Sequence, residues 1–243
     1  MKLLSDTVFV RNLSRIAADI MINTHDPSTY EWICPMTESE EYVLSCLVEA
    51  GEIITACDQL HYSLAYLSGY RLRRTSAGEI ITRADYIAYQ MENLHLRFVM
   101  VLDRSLRLAN TVFRLGLLAR ECNMRTVAEN TYIRATSVKI YLKKLDKLVS
   151  PYRESRNIVA HSKRYSDPKL TQIEGYFIFE KHDEVYHDLN VGQFRQSFKQ
   201  DADEYVLGVR KKHDPAVNGI VMAVADYFNA LLPEVERRYN SLQ

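Results

Sequence analysis

TRADYIAYQMENLHLRFVMVLDRSLRLANTVFRLGLLAR, residues 82–120, is the stretch from which the fold class is read. Its apolar residues Ile87, Met91, Leu94, Phe98, Val101, Leu108, Val112 and Leu115 recur at steps of three and four, with Ser105 filling the one gap. That period places them on one face of a helix packed in a bundle. Thr82 with Asp85 three residues later supplies an N-terminal cap, because side-chain oxygens there satisfy backbone N–H groups that the first turn leaves unpaired. The spacing predicts a helix from Thr82 to about Arg120. Arg97, Arg104, Arg107 and Arg114 cluster on one side of it. They either salt-bridge to acidic parts of the chain or track a phosphate backbone.

Upstream, the opening residues to about Ile22 read as a helix, followed by a polar loop through His25, Pro27 and Pro35. Thr37 with Glu40 forms a capping box that opens a second helix to about Leu67, with Leu44, Leu47, Val48, Ile54 and Leu60 on its apolar face. Arg71 to Gly78 then reads as a basic loop. Downstream, a helix spans about Thr136–Val149, with Leu142, Leu145 and Val149 inward and lysines outward. Ser150 as N-cap and Pro151 at the first helical position start another, reaching about Lys163. The β-forming residues around Gly175–Phe179 and Val185–His187 predict a short β-hairpin insertion within 173–188. Two helices close the chain, about Gly192–Lys212 and Pro215–Asn240, the last opened by Asp214 and Pro215 and kinked at Pro233. The fold class is therefore all-α, a single helical-bundle domain over 1–243 with a core at about 38–165 and C-terminal helices over 192–241.

Composition agrees. Of 243 residues, only 8 are Gly and 6 Pro, too little punctuation for a β-sandwich. Asp6, Arg11 and Arg15 interrupt any leader-like apolar run, and no apolar run predicts a bilayer span. Cys34, Cys46, Cys57 and Cys122 form no CxxC pair and read as reduced thiols of a cytoplasmic protein. The 31 basic and 31 acidic residues cancel, but unevenly. Residues 16–70 hold nine acids and no Lys or Arg, whereas 134–164 hold nine bases and two acids. The latter stretch suits phosphates, or it is one of two oppositely charged solvated faces. His182 and His187 flank Asp183 and Glu184, yet lack a preorganised third ligand, so no metal is expected. No Gly-rich phosphate loop and no nucleophile elbow occurs, and no cofactor is expected. The tyrosines read mostly as amphipathic core-to-surface residues, although some could stack on bases.

One constellation carries chemistry: RESRNIVAH, residues 153–161, with Arg156, Asn157 and His161. On a helix Asn157 and His161 share a face one turn apart, while Arg156 lies about 140° round from His161 and must reach back. An imidazole exchanges protons at neutral pH, and a guanidinium binds phosphate oxygens as charge builds. Asn157 could orient His161 or donate to a phosphate.

This segment resembles the R-x4-6-H motif of the HEPN superfamily, whose members are helical bundles carrying the motif near the start of a late helix. The resemblance implies a metal-independent endoribonuclease, acting as a homodimer with the two motifs facing across a two-fold axis. The 2′-hydroxyl would attack the phosphate to leave a 2′,3′-cyclic phosphate and a 5′-hydroxyl. It implies catalytic roles for Arg156, Asn157 and His161, RNA as the partner, and a defence or toxin–antitoxin setting with a regulatory protein partner. Arg153, Lys143, Lys144, Lys147, Lys163, Arg164 and Tyr165 are candidate RNA contacts by proximity. Toxins of this kind paired with nucleotidyltransferase antitoxins tend to carry Tyr two residues after the His. Here that position is Lys163, and the nearest tyrosine is Tyr165. The alternative is a non-catalytic HEPN domain that binds RNA or a protein partner. A further reading is a structural adaptor whose acidic stretch docks a basic protein.

Overall fold

The computed structural model describes residues 4–24, 28–29, 34–71, 73–181 and 191–243. Among the described residues the chain is all-α apart from one two-stranded ribbon. Its elements are α1 (Val8–Thr24), α2 (Glu38–Leu67), β1 (Arg73–Arg74), β2 (Ile80–Ile81) and α3 (Arg83–Phe113). There follow α4 (Met124–Val127), α5 (Thr131–Arg134), α6 (Val138–Val149), α7 (Arg153–His161), α8 (Pro168–Lys181) and α9 (Val191–Leu242). They form two compact units: Met1–Cys57 with Val99–Pro151 and Gly219–Gln243, and Asp58–Phe98 with Tyr152–Asn218.

In the first unit, Thr37 caps α2 as its sequence predicts. The Thr37 N–H donates to Glu40 Oε2 at 2.7 Å and Thr37 Oγ1 accepts from the Glu40 N–H at 3.3 Å. Helix α2 runs antiparallel to α3, since Glu38 near its start pairs with Arg114 at 2.5 Å and Glu52 pairs with Arg104. These arginines therefore serve the fold. Phe9 of α1 stacks on Phe228 of α9 at 5.0 Å, and the fully buried Tyr227 donates its hydroxyl to the Ser105 carbonyl at 2.6 Å. Cys46 is buried, and desolvation pushes its thiol up to about 12, while Cys34 is exposed and Cys122 is half-buried.

Several elements differ from those the sequence predicts. Helix α3 ends at Phe113 rather than near Arg120, because Arg114 (φ 52°) and Gly116 (φ 69°) turn left-handed. Asn110 closes that turn, its side chain accepting from the Leu117 N–H and donating to the Leu117 carbonyl. Residues 173–181 form part of helix α8 and not a hairpin; the remainder of the predicted hairpin, with His182 and His187, lies outside the described residues. Asp167 caps α8, accepting from the Lys169 and Leu170 N–H groups at 3.0 Å each, and Pro168 sits at the first helical position, where a missing N–H costs nothing. The ribbon that does form pairs Arg73 with Ile81 and Arg74 with Ile80, in the stretch read as a loop, and Gly78 turns it at φ 85°.

A further difference is α9. Pro215 lies inside one continuous helix rather than opening a new one. Proline there removes one i→i−4 hydrogen bond and costs about 3 kcal/mol in an isolated helix. Tyr205, Val206, Val209, His213, Val217, Ile220, Val221 and Val224 form an unbroken buried stripe through it, and that burial offsets the loss. The sequence predicts no bilayer-length apolar run, yet by length and composition α9 holds one, with a mean hydropathy of 1.3 over 18 residues, 44% of it buried inside the fold.

Candidate functional site

Helix α7 buries none of its own residues. It is held from both ends instead. Just before it, Tyr152 is buried and its ring lies on Phe98 of α3 at 3.6 Å and 8°, with its hydroxyl 3.3 Å from His213 Nδ1 of α9. Just after it, Tyr165 stacks on His95 of α3 at 5.0 Å and 24°, and its backbone N–H donates to Glu92 Oε1 at 2.9 Å. The Tyr165 and Tyr205 hydroxyls both donate to Asp167 Oδ2. Burial, ahead of other causes, pushes the Tyr165 phenol up to about 12 and raises Tyr205 as well.

Ser150 is not the N-cap of α7. It ends α6, its hydroxyl donating to the Lys147 carbonyl at 2.9 Å, and residues 150–152 make a single 3-10 turn. Pro151 belongs to that turn, and Tyr152 takes the N-cap position without a side-chain cap bond. Packing of an aromatic ring replaces the capping oxygen that the sequence suggested.

Between these anchors, the motif faces outward. Arg156 is half-buried, and Asn157 and His161 are exposed. The Arg156 guanidinium donates to Asn157 Oδ1 at 3.1 Å. This places the oxygen of Asn157 on Arg156 and leaves the amide N–H donors as what Asn157 offers outward. His161 stands one turn further along, in the last turn of the helix. The arrangement presents an imidazole, a guanidinium and amide donors on one short exposed helix, a set able to bind a phosphodiester and shuttle a proton.

The other predicted contacts divide between the two units. Lys143 and Lys144 of α6 are in surface ion pairs, with Glu129 at 3.6 Å and Asp226 at 2.9 Å. Lys139 also holds Glu129, at 2.7 Å, and through that hydrogen bond keeps its carboxyl below the usual range. Lys147 is exposed on the same helix. These lysines lie in the first unit, and Arg153, Lys163, Arg164 and Tyr165 in the second with the motif. Arg153 and Lys163 are exposed, whereas Arg164 bridges Asp85 at 3.3 Å and Glu174 at 3.0 Å. The basic run of the sequence is therefore divided between the two units.

Beneath α7 the sequence reading missed a buried histidine pair. His95 and His213 are 6% and 2% exposed, with ring centroids 6.2 Å apart. Neither ring nitrogen of His95 has a hydrogen-bond partner among the described residues. Burial, ahead of nearby positive charge, lowers each to about 4, so both rings are neutral near pH 7. Their only sequence signal is position: His95 follows Met91 and precedes Phe98 at helical spacing. No model of a known protein family, no curated protein and no solved structure matches the chain.

Proposed function

We propose that this chain is a metal-independent endoribonuclease of the HEPN type, cytoplasmic, and active as a homodimer. The single observation that supports this reading is the presentation of a half-buried Arg156 with exposed Asn157 and His161 on one short helix that has no fully buried residue. His161 removes the proton from the RNA 2′-hydroxyl, and the attacking oxygen forms the bond to phosphorus. The bond to the 5′-oxygen breaks, and a second imidazole protonates that leaving group. In a dimer with facing motifs, the second imidazole is the symmetry mate's His161. Arg156 and the Asn157 amide bind the non-bridging oxygens, whose charge grows at the crowded transition state. The products are a 2′,3′-cyclic phosphate and a 5′-hydroxyl.

The test is incubation of the purified full chain with mixed RNAs in EDTA, beside His161→Ala and Arg156→Ala. The expected result is cyclic-phosphate ends from the wild type, with His161→Ala slower by about 10²–10⁴-fold. RNA that stays intact but is retained, with a salt-sensitive affinity, leaves only the non-catalytic binding domain.

A further inference from the structure

In the second unit, away from the residues of the motif helix, tyrosines gather around a cavity of about 630 Å³. Tyr66 and Tyr70 reach it from the end of α2 and the residues after it, Tyr86 and Tyr89 from the first turns of α3, with Ile81 of β2, Asp85 and the buried Gln90 completing the wall. The size is that of a small-molecule pocket, whose usual span is roughly 300–1,000 Å³. The rings are set, not loose. Tyr70 donates its hydroxyl to the Ile81 carbonyl at 2.8 Å and packs against Tyr86 at 5.6 Å, so the ribbon fixes one wall. Tyr66 and Tyr89, in contrast, are 54% and 61% exposed, two large aromatic faces in solvent at the rim of an apolar hollow. Tyr62, one turn before Tyr66 and also exposed, extends the aromatic surface, with ring centroids 6.3 Å apart.

The charge beside the cavity is positive. From residue 71 to 81 the chain carries Arg71, Arg73 and Arg74 against the single acid Glu79. Arg71 is exposed directly after Tyr70, and Arg73 and Arg74 stand in β1, paired to the strand that lines the cavity. The carboxylate of Asp85 is already engaged, through Oδ2 with Thr82 at 2.7 Å and through Oδ1 with Arg164 at 3.3 Å. Aromatic faces that accept a planar ring, followed in the chain by the exposed Arg71 that can accept a phosphate, are the two halves of a single-strand nucleic-acid site. A purely apolar peptide would use the rings and leave Arg71 idle; a duplex keeps its bases stacked and out of reach.

We infer that the tyrosine-lined cavity beside the β-ribbon is a base-stacking site that holds an unpaired base of single-stranded RNA, with Arg71 on an adjoining phosphate. The inference rests on the ribonuclease reading for why RNA is bound at all, and it adds where the strand is gripped outside the cleaved bond. Arg164 gives this grip a connection to the motif: it lies three residues after His161 and pairs with a residue of the cavity wall.

The test uses the full chain and a fluorescein-labelled 12-nucleotide single-stranded RNA with 2′-O-methyl riboses, which lacks the attacking hydroxyl and stays whole. Fluorescence anisotropy reads its affinity for the wild type, Tyr66→Ala with Tyr89→Ala, Tyr66→Phe with Tyr89→Phe, and Arg71→Ala. The paired alanine variant is expected to bind at least about fivefold more weakly, because stacked bases are lost. The paired phenylalanine variant keeps the rings and stays within about twofold of the wild type. Arg71→Ala reduces the slope of log affinity against log salt by about 0.7, the share of one phosphate contact on a single strand. The same sequence annealed into a duplex binds more weakly than the single strand. Equal binding by the alanine and wild-type proteins overturns the inference, as does equal binding of duplex and single strand, or equal loss in the alanine and phenylalanine variants. The two readings fail separately. Tyrosine-dependent binding without cleavage of ordinary RNA keeps this site and removes the nuclease, whereas cleavage with tyrosine-independent binding does the reverse.

Discussion

Helices α6 and α7 are neighbours in sequence, both short and both basic, and they are opposite kinds of structure. Helix α6 buries Val138, Leu142, Leu145 and Val149 in the core of the first unit, and at least three of its lysines answer carboxylates. Helix α7 buries nothing of its own and hangs from Tyr152 and Tyr165. Charge density along a chain does not separate a helix that builds the fold from one that displays chemistry. Burial does.

The contrast breaks most sharply at the apolar positions. Leu145→Ala opens a cavity in a fully buried site and is expected to cost about 2–5 kcal/mol, read as a lowered urea midpoint. Ile158 of α7 is only half-buried, and Ile158→Ala should cost less than about 1.5 kcal/mol. Equal losses at the two positions would erase the distinction.

A second difference is in the response to acid. The second unit holds the buried neutral pair His95 and His213, each lowered to about 4 against about 6.5 in an unfolded chain. Between those values the unfolded chain binds more protons, so this part of the stability is full above about pH 6.5 and drains as pH falls toward 4. For His95 the amount is on the order of 3 kcal/mol. Denaturant melts between pH 7 and 4 should show the decline, and His95→Phe, which keeps a ring on Tyr165 and removes two unpartnered nitrogens, should flatten it. An unchanged pH slope in that variant means the pair is not what titrates. The smallest effect belongs to the lysines of α6. Lys144→Ala removes an exposed ion pair and should change stability by about 1 kcal/mol or less, and RNA affinity by less than about twofold.

Local signals were legible where a side chain acts on its own backbone. The capping pairs Thr37–Glu40 and Thr82–Asp85 start α2 and α3 where the sequence places them, and α2 ends at Leu67. The end of α3 was readable too, in Gly116, but the apolar period carries on through Leu115 and masks it. Asp167 and Pro168 announce α8 by the same cap logic, against the β-forming side chains that follow. Pro215 misleads for the opposite reason, since its continuous helix is decided by buried neighbours along α9 that no local pattern reports. At the site, Arg156, Asn157 and His161 were legible as a pattern, and the exposure of Asn157 and His161 was not. The tyrosine cavity gathers residues from α2, β2 and α3, so only the folded chain puts them together.

A helix with no fully buried residue leaves selection unusually free to rewrite its exposed face. Substitutions along the outward face of α7 carry little penalty in folding, so descendants of this chain could lose its chemistry, retune it or exchange it for recognition while inheriting the same scaffold. The tyrosines that suspend the helix have no such latitude, because they answer to packing first.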